Sequence, residues 1–589
     1  MDSRETILLV VVIIAILIAA KMIYDGASRK KKLFQKIKKA YGKLPDNDYS
    51  APRYSDNGIG YYYKNKSHDT PVIDDITWND LDMETVYMIL NNTGSGVGEE
   101  YLYDMLHTPC MDDKKLKERD RIARYFDSHE EERLKVQCEL YKLGKLRNSS
   151  VGQYLSGVRS LRPHKPVLHM ACLAALILIA AGCAVRPGTW LPYIFLIIVI
   201  NMVVYFKRKA SISSYFVVFS YLARMTETAR KIGGLKCEGI DGASKVLKEA
   251  TRPLRSISRY SWLFVSGTDF SADLLAIVLD YVKMLTHVDM IVFDYLAYRL
   301  FKYGKELDQI METLGEIDCD IAIASYRRYM KDGQGTPICT PDLCEEGPLK
   351  IHAENIYHPM IVHPVTNTFN AEKSVLVTGS NASGKSTFLK TVAINAIFAQ
   401  TIYTCLADRF ESRFFRIYSS MALQDNIASN ESYYIVEIKS LKRIVDAAAP
   451  PPAGQAVLTG ENETEPWSRV PVLCFIDEVL RGTNTIERIA ASSRILYALS
   501  AMNALCFAAT HDIELTSILE NSFANYHFQE EVNDNDVIFD YILYPGRATS
   551  RNAIKLLGII GFDQKIINEA SAAARDFETK GVWAQLNER

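Results

Sequence analysis

The chain has no excess of positive charge. Among its 589 residues, lysine and arginine number 68 and aspartate and glutamate number 70, which leaves a formal net charge of −2. A protein that attracts nucleic acid over its whole surface has a basic balance, so any DNA contact must be confined to a local surface. The length is sufficient for several domains.

Metal-binding patterns of cysteine are also absent. The 11 cysteines are scattered along the chain. Cys339 and Cys344 have neither the two-residue spacing nor the histidine partners of a zinc site. We therefore expect reduced thiols in a cytosolic setting.

Three stretches nearly lack charge. Ile7–Ala20 is an uninterrupted apolar run that continues past Lys21 to Tyr24, just long enough to cross a bilayer. Arg4 is the only basic residue before this run, whereas the basic segment Arg29–Lys32 follows it. This order favours an uncleaved anchor over a cleaved signal peptide. By the positive-inside rule, its N-terminus lies outside the cell.

Two further apolar runs, Val167–Val185 and Trp190–Phe206, are separated by a short turn that contains Pro187 and Gly188. Their lengths and this turn predict a transmembrane hairpin at 167–206, with a buried hairpin of a soluble core as the alternative. Basic residues flank both ends: Arg159, Arg162, Lys165, Lys207, Arg208 and Lys209. The prediction is a multi-pass protein of the cell membrane, bound to the lipid bilayer through three spans, with its C-terminal domain in the cytoplasm.

A glycine loop lies between an apolar strand and a helix start in Val375–Leu389, VLVTGSNASGKSTFL. Its glycines let backbone N–H groups turn inward, and the following helix presents its positive N-terminal end to the same anion. We expect Lys385 to neutralise β- and γ-phosphate charge and Ser386 to bind Mg²⁺. The predicted nucleotide contacts in this segment are Gly379, Ser380, Asn381, Ala382, Ser383, Gly384, Lys385, Ser386 and Thr387.

Two later strands end in polar residues. Val472–Ile476 is an apolar run followed by Asp477 and Glu478, which we expect to hold Mg²⁺ and to orient the attacking water, respectively. Ala504–Ala509 precedes His511, which is placed to sense a γ-phosphate. A strand-capping acidic pair and a structural histidine are the alternatives. The three signals together predict a nucleotide hydrolase, with Lys385, Glu478 and His511 as its catalytic residues.

The segments TGSNASGKST, FIDEVLRGTNT and ATHDIEL resemble the ATPase core of the MutS family, a branch related to the ABC ATPases. Glu354–Ile361 is similar to the family's His-Pro element, Asn525–Glu531 to its C-terminal segment, and Asn91–Pro109 to the opening of its helical core domain. The resemblance implies ATP and Mg²⁺ as cofactors, His358 as a nucleotide contact, a homodimer, and DNA as a partner. No segment resembles the family's N-terminal mismatch-reading domain.

In ABC-like ATPases, a signature segment of one chain reaches the γ-phosphate held by the other. The corresponding segment is Ala428–Glu437, in which Ser432 occupies the family's serine position and is the expected contact in trans. Asn430, Glu431 and Tyr433 replace the usual glycine, arginine and threonine. An acidic Glu431 would repel a phosphate unless it points away from it.

The combined prediction is an α/β P-loop ATPase domain of the ABC/MutS type, C-terminal to an all-α lever and core domain, with three transmembrane helices. The insertion 447–469 is too rich in Pro, Gly and Glu to pack. The predicted segments are an anchor at 1–28, a basic linker at 29–74, a core-like helical segment at 75–160, the hairpin at 167–206, a lever at 207–335 and the ATPase domain at 340–589.

Two functions fit these observations. The first is a membrane-anchored MutS-like ATPase whose dimer closure is coupled to DNA binding in mismatch repair or recombination. The second is a mechanochemical ATPase that acts on protein or envelope components without nucleic acid. Small-molecule transport is disfavoured because Asn201 is nearly alone as a polar residue in the spans. The sequence does not identify the protein partners.

Overall fold

A computed structural model describes residues 30–47, 58–160, 166–260, 281–380, 383–421, 433–450, 469–481, 483–532, 537–548 and 561–585, with six isolated residues besides. The chain forms two units. The first comprises Met1–Ser67, Leu90–Asp104 and Arg121–Arg328, and the second comprises His68–Ile89, Met105–Asp120 and Tyr329–Arg589. The apolar run at 7–20 that is predicted as the first span lies outside the described residues.

Helices account for most of the chain that precedes the sheets. Residues 30–40 are helical. The helices that follow are α1 (Tyr61–Asn65), α2 (Asp75–Asp80), α3 (Met83–Leu90), α4 (Gly96–His107), α5 (Asp113–Ser128), α6 (Glu130–Leu143), α7 (Val151–Ser160), α8 (Val167–Val185), α9 (Pro187–Gly234), α10 (Asp241–Thr251), α11 (Arg255–Tyr260), α12 (Val288–Lys302) and α13 (Gly304–Arg328).

The helices of the first unit bury one face, as residues that recur at helical spacing predict. In α10, the residues buried along one face are Ser244, Leu247, Ala250 and Thr251. The unit's core also contains large buried aromatic side chains, including Phe126, Phe219 and Phe293. This confirms the helical part of the predicted fold class.

Helices α8 and α9 form the predicted hairpin. Val167–Val185 and the stretch Pro187–Ser213 of α9 are long and apolar enough to cross a membrane, by length and composition alone. Only 11% and 17% of their apolar windows are buried, which disfavours the alternative of a hairpin inside a soluble core. Two of the three predicted spans therefore correspond to such helices in the described residues. Helix α9 continues beyond its apolar part, and the whole helix has 48 residues and a length of about 72 Å.

Polar contacts attach α12 to the end of this hairpin that lies opposite its turn. The Tyr205 hydroxyl donates to Asp289 over 2.8 Å, and Arg208 pairs with Asp294 over 2.7 Å. Tyr205 and Asp289 are both buried. These contacts hold the first two turns of α12 beside the part of α9 where the apolar run gives way to basic residues.

The second unit contains two sheets. The six-stranded sheet has the order β10-β9-β4-β8-β7-β6, and the four-stranded sheet has the order β1-β5-β2-β3. The strands are β1 (Asp342–Cys344), β2 (Ile351–Ile356), β3 (Asn367–Ala371), β4 (Ser374–Thr378), β5 (Arg409–Arg413), β6 (Arg416–Ser420), β7 (Val472–Asp477), β8 (Ala504–Thr510), β9 (Phe523–Val532) and β10 (Val537–Pro545). The helices are α14 (Lys385–Thr401), α15 (Tyr433–Ala448), α16 (Thr485–Ala501), α17 (Ile513–Ile518) and α18 (Gln564–Lys580).

The central strands of the larger sheet are buried along their whole length. Every residue of β4, β7 and β8 is buried, as expected for parallel strands covered by helices on both faces. In this sheet β10 is antiparallel to β9, whereas the other neighbouring strands pair in parallel. The three strands predicted from apolar runs are confirmed, and with them the mixed α/β character of this region.

A helix from the N-terminal part of the chain covers the edge strand β6. Asp80, in α2, accepts hydrogen bonds from Ser419 Oγ over 2.6 Å and from the Met421 amide over 2.9 Å. Thr77 Oγ1 accepts from the Ser419 amide over 3.0 Å. These contacts pair polar groups that an exposed edge strand leaves open.

Candidate functional site

The predicted site residues meet at one edge of the six-stranded sheet. Strand β8 pairs in parallel with β4 on one side and with β7 on the other. Thr378 lies opposite Thr510, and Asp477 lies opposite Ala509. The carboxyl ends of the three strands therefore coincide. This arrangement brings the glycine loop, the acidic pair and His511 together.

The glycine loop has a backbone that requires glycine at both ends. Gly379 has φ 151° and Gly384 has φ 105°. A Cβ atom at Gly379 would lie 2.8 Å from Ser383 Oγ and 3.0 Å from the Phe528 carbonyl oxygen. Gly384 then precedes the first turn of α14. Asn381 and Ala382 lie outside the described residues.

Lys385 folds back over this loop. Its Nζ donates to the carbonyl oxygens of Gly379 over 2.9 Å and Ser380 over 2.7 Å. Burial lowers the pKa of the Lys385 ammonium, while Asp477 and Glu478 oppose that shift. The loop thus holds the Lys385 ammonium beside the first turn of α14. This positive charge and the positive N-terminal end of the helix both favour binding of an anion.

Ser386 and Asp477 form a pair of hard oxygen donors. Ser386 Oγ donates to Asp477 Oδ2 over 2.5 Å, and Asp477 is largely buried. Among the described residues, no three His, Cys, Asp or Glu side chains are grouped closely enough to hold a metal ion by themselves. One hydroxyl and one carboxylate fit Mg²⁺, which binds few protein ligands and completes its shell with water and phosphate oxygens.

Glu478 is held from two sides. Its Oε1 lies 2.8 Å from His511 Nε2, and its Oε2 lies 2.5 Å from Arg481 Nε. The hydrogen bond from His511 and the charge of Arg481 lower the pKa of this carboxyl, against the opposing effect of burial. His511, predicted as a phosphate sensor, therefore contacts the second carboxylate of the acidic pair.

The turn after β7 is shaped by a residue that the sequence analysis did not select. The buried Glu437 of α15 accepts hydrogen bonds from the backbone amides of Leu480 and Arg481. Glu478 and Leu480 have left-handed φ angles of 59° and 60°. Burial raises the pKa of Glu437, and the two amides oppose that rise. Glu437 is therefore a positioning residue for the Glu478 turn.

A cavity of about 450 Å³ opens beside the loop, a size that suits a small ligand. Gly384 and Thr387 line it on the loop side. His358, the predicted nucleotide contact, also lines it and is buried. Burial lowers the pKa of His358 to about 4, so its ring is neutral at physiological pH. Ile356, Val365, Phe388 and Phe528 make much of the remaining wall apolar.

Tyr541 is the second residue that the sequence analysis missed. Its ring lies over Gly384, with Cδ1 3.3 Å from the position of a Cβ atom there. Strand β10 bulges between Phe539 and Leu543, which gives Tyr541 a φ of 56°. Asn367 clamps the bulge, donating to the Tyr541 carbonyl over 3.1 Å and accepting from the Leu543 amide over 2.7 Å. The bulge directs an aromatic ring to the rim of the cavity.

The segment expected to act in trans overlaps the start of α15. Ser432 and the rest of 422–432 lie outside the described residues, and α15 begins directly after them at Tyr433. The role of Ser432 stays a prediction.

The fold and site define an α/β domain in which a glycine loop, a lysine, a hydroxyl–carboxylate pair and a second carboxylate meet at the ends of parallel strands. The family model described as MutS domain V matches residues 375–452 and 468–578. The gap between these segments falls within the predicted insertion at 447–469.

Curated relatives agree with this match. A "DNA mismatch repair protein MutS" of Exiguobacterium sp. is 28% identical over 304 residues, 49% of this chain and 32% of the relative. A protein of the same name from Pseudothermotoga lettingae is 30% identical over 274 residues, which are 44% of this chain and 30% of the relative. "DNA mismatch repair protein MutS 2" of Haloarcula marismortui is 28% identical over 208 residues, which are 35% of this chain and 20% of the relative. Through this region, the chain is similar to MutS proteins, and it matches the MutS domain V family over residues 375–452 and 468–578. It spans about a third or less of the length of these relatives.

Proposed function

We propose that this protein is a membrane-anchored ATPase of the MutS type that hydrolyses ATP with Mg²⁺. The observation that carries the proposal is the cluster of Lys385, Ser386, Asp477 and Glu478 at the common edge of β4, β7 and β8. MutS family proteins are ATPases, which agrees with this chemistry. A cation, an Mg²⁺-binding pair and a second carboxylate are the parts that phosphoryl transfer to water requires.

Each residue has a distinct part in the proposed reaction. Lys385 and the loop amides would bind the β- and γ-phosphates of ATP, and Ser386 with Asp477 would hold Mg²⁺. Glu478 orients a water molecule for attack on the γ-phosphorus, and ADP leaves as the bond to the γ-phosphate breaks. His511 and Arg481 fix both oxygens of Glu478, which supports a role for them in keeping that carboxylate ionised and directed.

The cavity beside the loop is the proposed site of the adenine base. His358 and Tyr541 supply planar rings on its lining, and the apolar wall suits a flat heterocycle. The base would then lie against Gly384 and Thr387, next to the phosphate loop. A homodimer, with Ser432 of the partner subunit completing the site, is the proposed active assembly.

The hairpin α8–α9 is the proposed membrane anchor, with the second unit in the cytoplasm. The two helices expose long apolar surfaces, and basic residues flank their open ends. Under this topology, a Thr189→Cys variant in a Cys183→Ser background is labelled from outside intact cells by a membrane-impermeant maleimide. Thr189 lies in the first turn of α9, close to the reversal between the two helices at Arg186.

The matched control for this topology is Ser211→Cys in the same background, since Ser211 is exposed on α9 beyond the basic flank. We expect labelling of Ser211→Cys only after the membrane is permeabilised. Protection of Thr189→Cys in intact cells, with labelling after permeabilisation, would mean that the hairpin is reversed or does not cross the membrane.

DNA is the proposed substrate of the nucleotide-driven cycle. The relatives named above are DNA mismatch repair proteins, and this supports the proposal although the chain lacks a basic balance overall. We expect the detergent-solubilised protein to bind duplex or branched DNA in the presence of ATP. Its affinity should fall as salt rises, because phosphate contacts release counterions. A fluorescence anisotropy titration at two salt concentrations measures both the affinity for DNA and its dependence on salt.

A mechanochemical ATPase without nucleic acid is the second candidate. Helix α9 favours it, since one unbroken helix runs from the hairpin turn through the helical unit, and a continuous helix transmits displacement as a rigid body. If the protein hydrolyses ATP but does not bind DNA even at low salt, this second candidate is favoured.

A further inference from the structure

A second cavity lies beside the inner end of the hairpin. Its volume is about 580 Å³, and it is formed by the N-cap of α8, helix α11 and helix α12. The polar part of its lining is Arg255, Ser256, Tyr260 and Tyr295, and the apolar part is Pro166, Ile291 and Val292. None of these described lining residues is acidic.

The polar side of this cavity is suited to a phosphate group. Arg255 contributes a guanidinium, and the Ser256, Tyr260 and Tyr295 hydroxyls are hydrogen-bond donors. A second guanidinium lies one turn along α12, where Arg299 Nε donates to the Tyr295 hydroxyl over 3.1 Å. With no carboxylate in the described lining to pair with an ammonium group, the cavity favours a ligand of net negative charge.

The position of the cavity points to lipid as the source of that phosphate. Tyr205 and Arg208 hold α12 at the level where the apolar part of α9 becomes basic. Pro166 caps the open end of α8 at the same end of the hairpin. In a membrane-anchored hairpin, Ile291 and Val292 would offer an apolar surface to an acyl chain, and Arg255 a charge to the headgroup.

Helix α12 shows a second sign of contact with lipid. It exposes four large apolar or aromatic side chains, Val288, Tyr295, Tyr298 and Phe301. Their spacing of seven, three and three residues puts them on one face of the helix. Tyrosine is enriched at the level of lipid headgroups, where the ring lies in the apolar layer and the hydroxyl in the polar one.

We propose that this cavity binds the headgroup phosphate of an anionic phospholipid, through Arg255 and the hydroxyls of Tyr260 and Tyr295. The inference depends on the membrane placement of the hairpin proposed above. A lipid bound there would fasten α11 and α12 to the membrane surface beside the hairpin.

The test is native mass spectrometry of the full-length protein in detergent, titrated with phosphatidylglycerol or with phosphatidylcholine of the same acyl chains. We expect tighter binding of phosphatidylglycerol. Arg255→Gln should weaken that binding about fivefold or more, because one basic residue near an anionic lipid contributes about that factor. Arg252→Gln is the matched control, since it removes the same charge three residues away and Arg252 does not line the cavity.

Equal binding of the two lipids, or an equal loss in Arg252→Gln and Arg255→Gln, would overturn the proposal. Displacement of phosphatidylglycerol by inorganic phosphate at the same concentration would overturn the assignment to lipid. Tyr295→Phe provides a second variant that keeps the ring and removes one hydroxyl, and it should weaken phosphatidylglycerol binding less than Arg255→Gln does. ATP hydrolysis by Arg255→Gln should equal that of the unmodified protein, which separates this test from that of the ATPase.

Discussion

A Glu478→Gln protein is expected to bind ATP normally and to hydrolyse it about 10²–10⁴-fold more slowly, the range typical for loss of a positioned acid–base group. Glutamine has nearly the same shape, and its amide oxygen can still accept a hydrogen bond from Arg481 or His511. The substitution therefore removes the charge that orients water and leaves the loop, Lys385 and the Ser386–Asp477 pair unchanged.

Two measurements on the same preparation check this prediction: steady-state release of phosphate, and equilibrium binding of a fluorescent ATP analogue. Glu514→Gln serves as the control, because Glu514 is exposed at the start of α17, three residues from His511, and has no part in the proposed reaction. ATP hydrolysis by Glu478→Gln at the rate of the unmodified protein would contradict the assignment of Glu478 as the water-orienting carboxylate.

A Lys385→Ala protein is expected to lose nucleotide binding itself. The dissociation constant for ATP should rise about 10²-fold or more, because two charge-assisted hydrogen bonds to phosphate are each worth ~1.5–3 kcal/mol. The apo protein should keep its fold. Burial already disfavours the ammonium of Lys385, as its lowered pKa indicates, so removing that charge relieves a desolvation cost.

Isothermal titration calorimetry with ATP and Mg²⁺ measures the affinity, and circular dichroism melting checks the fold. Lys373→Ala is the matched control, since Lys373 is exposed and immediately precedes β4, at the opposite end of that strand from the loop. Wild-type affinity in Lys385→Ala, with an intact fold, would be inconsistent with phosphate binding by this loop.

The two carboxylates of the acidic pair differ in their surroundings, and this supports their different roles. Asp477 belongs to the last position of β7 and contacts a hydroxyl that is itself suited to Mg²⁺. Glu478 leaves the strand with a left-handed φ and turns towards two cationic or donor side chains, Arg481 and His511. Asp477 is thus arranged to hold a cation, whereas the carboxylate of Glu478 accepts hydrogen bonds from neighbouring side chains.

Glu437 extends this arrangement to the segment expected to act in trans. It lies in α15, five residues after Ser432, and its carboxylate caps amides of the Glu478 turn. A movement of α15 would therefore reach the turn that carries Glu478 in the same chain. No local sequence signal marks Glu437 for this role, since the contact spans more than forty residues.

Two contacts of the site that the sequence did not predict, those of Tyr541 and Arg481, share one property. Tyr541 reaches Gly384 only because β10 bulges beside Asn367, and Arg481 reaches Glu478 only because the turn after β7 is left-handed. Neither feature has a local signature, because a bulge and a turn conformation depend on hydrogen bonds with distant partners. Aromatic and arginine side chains near a site are the one signal that could have suggested them.

The sequence by itself determined the elements whose physics is local. A wholly apolar run predicts a buried strand, a glycine-rich loop before a helix predicts an anion site, and two uncharged runs around Pro187 and Gly188 predict a hairpin. The tertiary structure decided which of these elements became neighbours. It inserted β8 between β4 and β7, placed α2 on the edge strand β6, and set His511 against Glu478. These contacts join residues far apart in the chain, and they form because the fold as a whole buries apolar surface and pairs polar groups, which no short segment specifies alone.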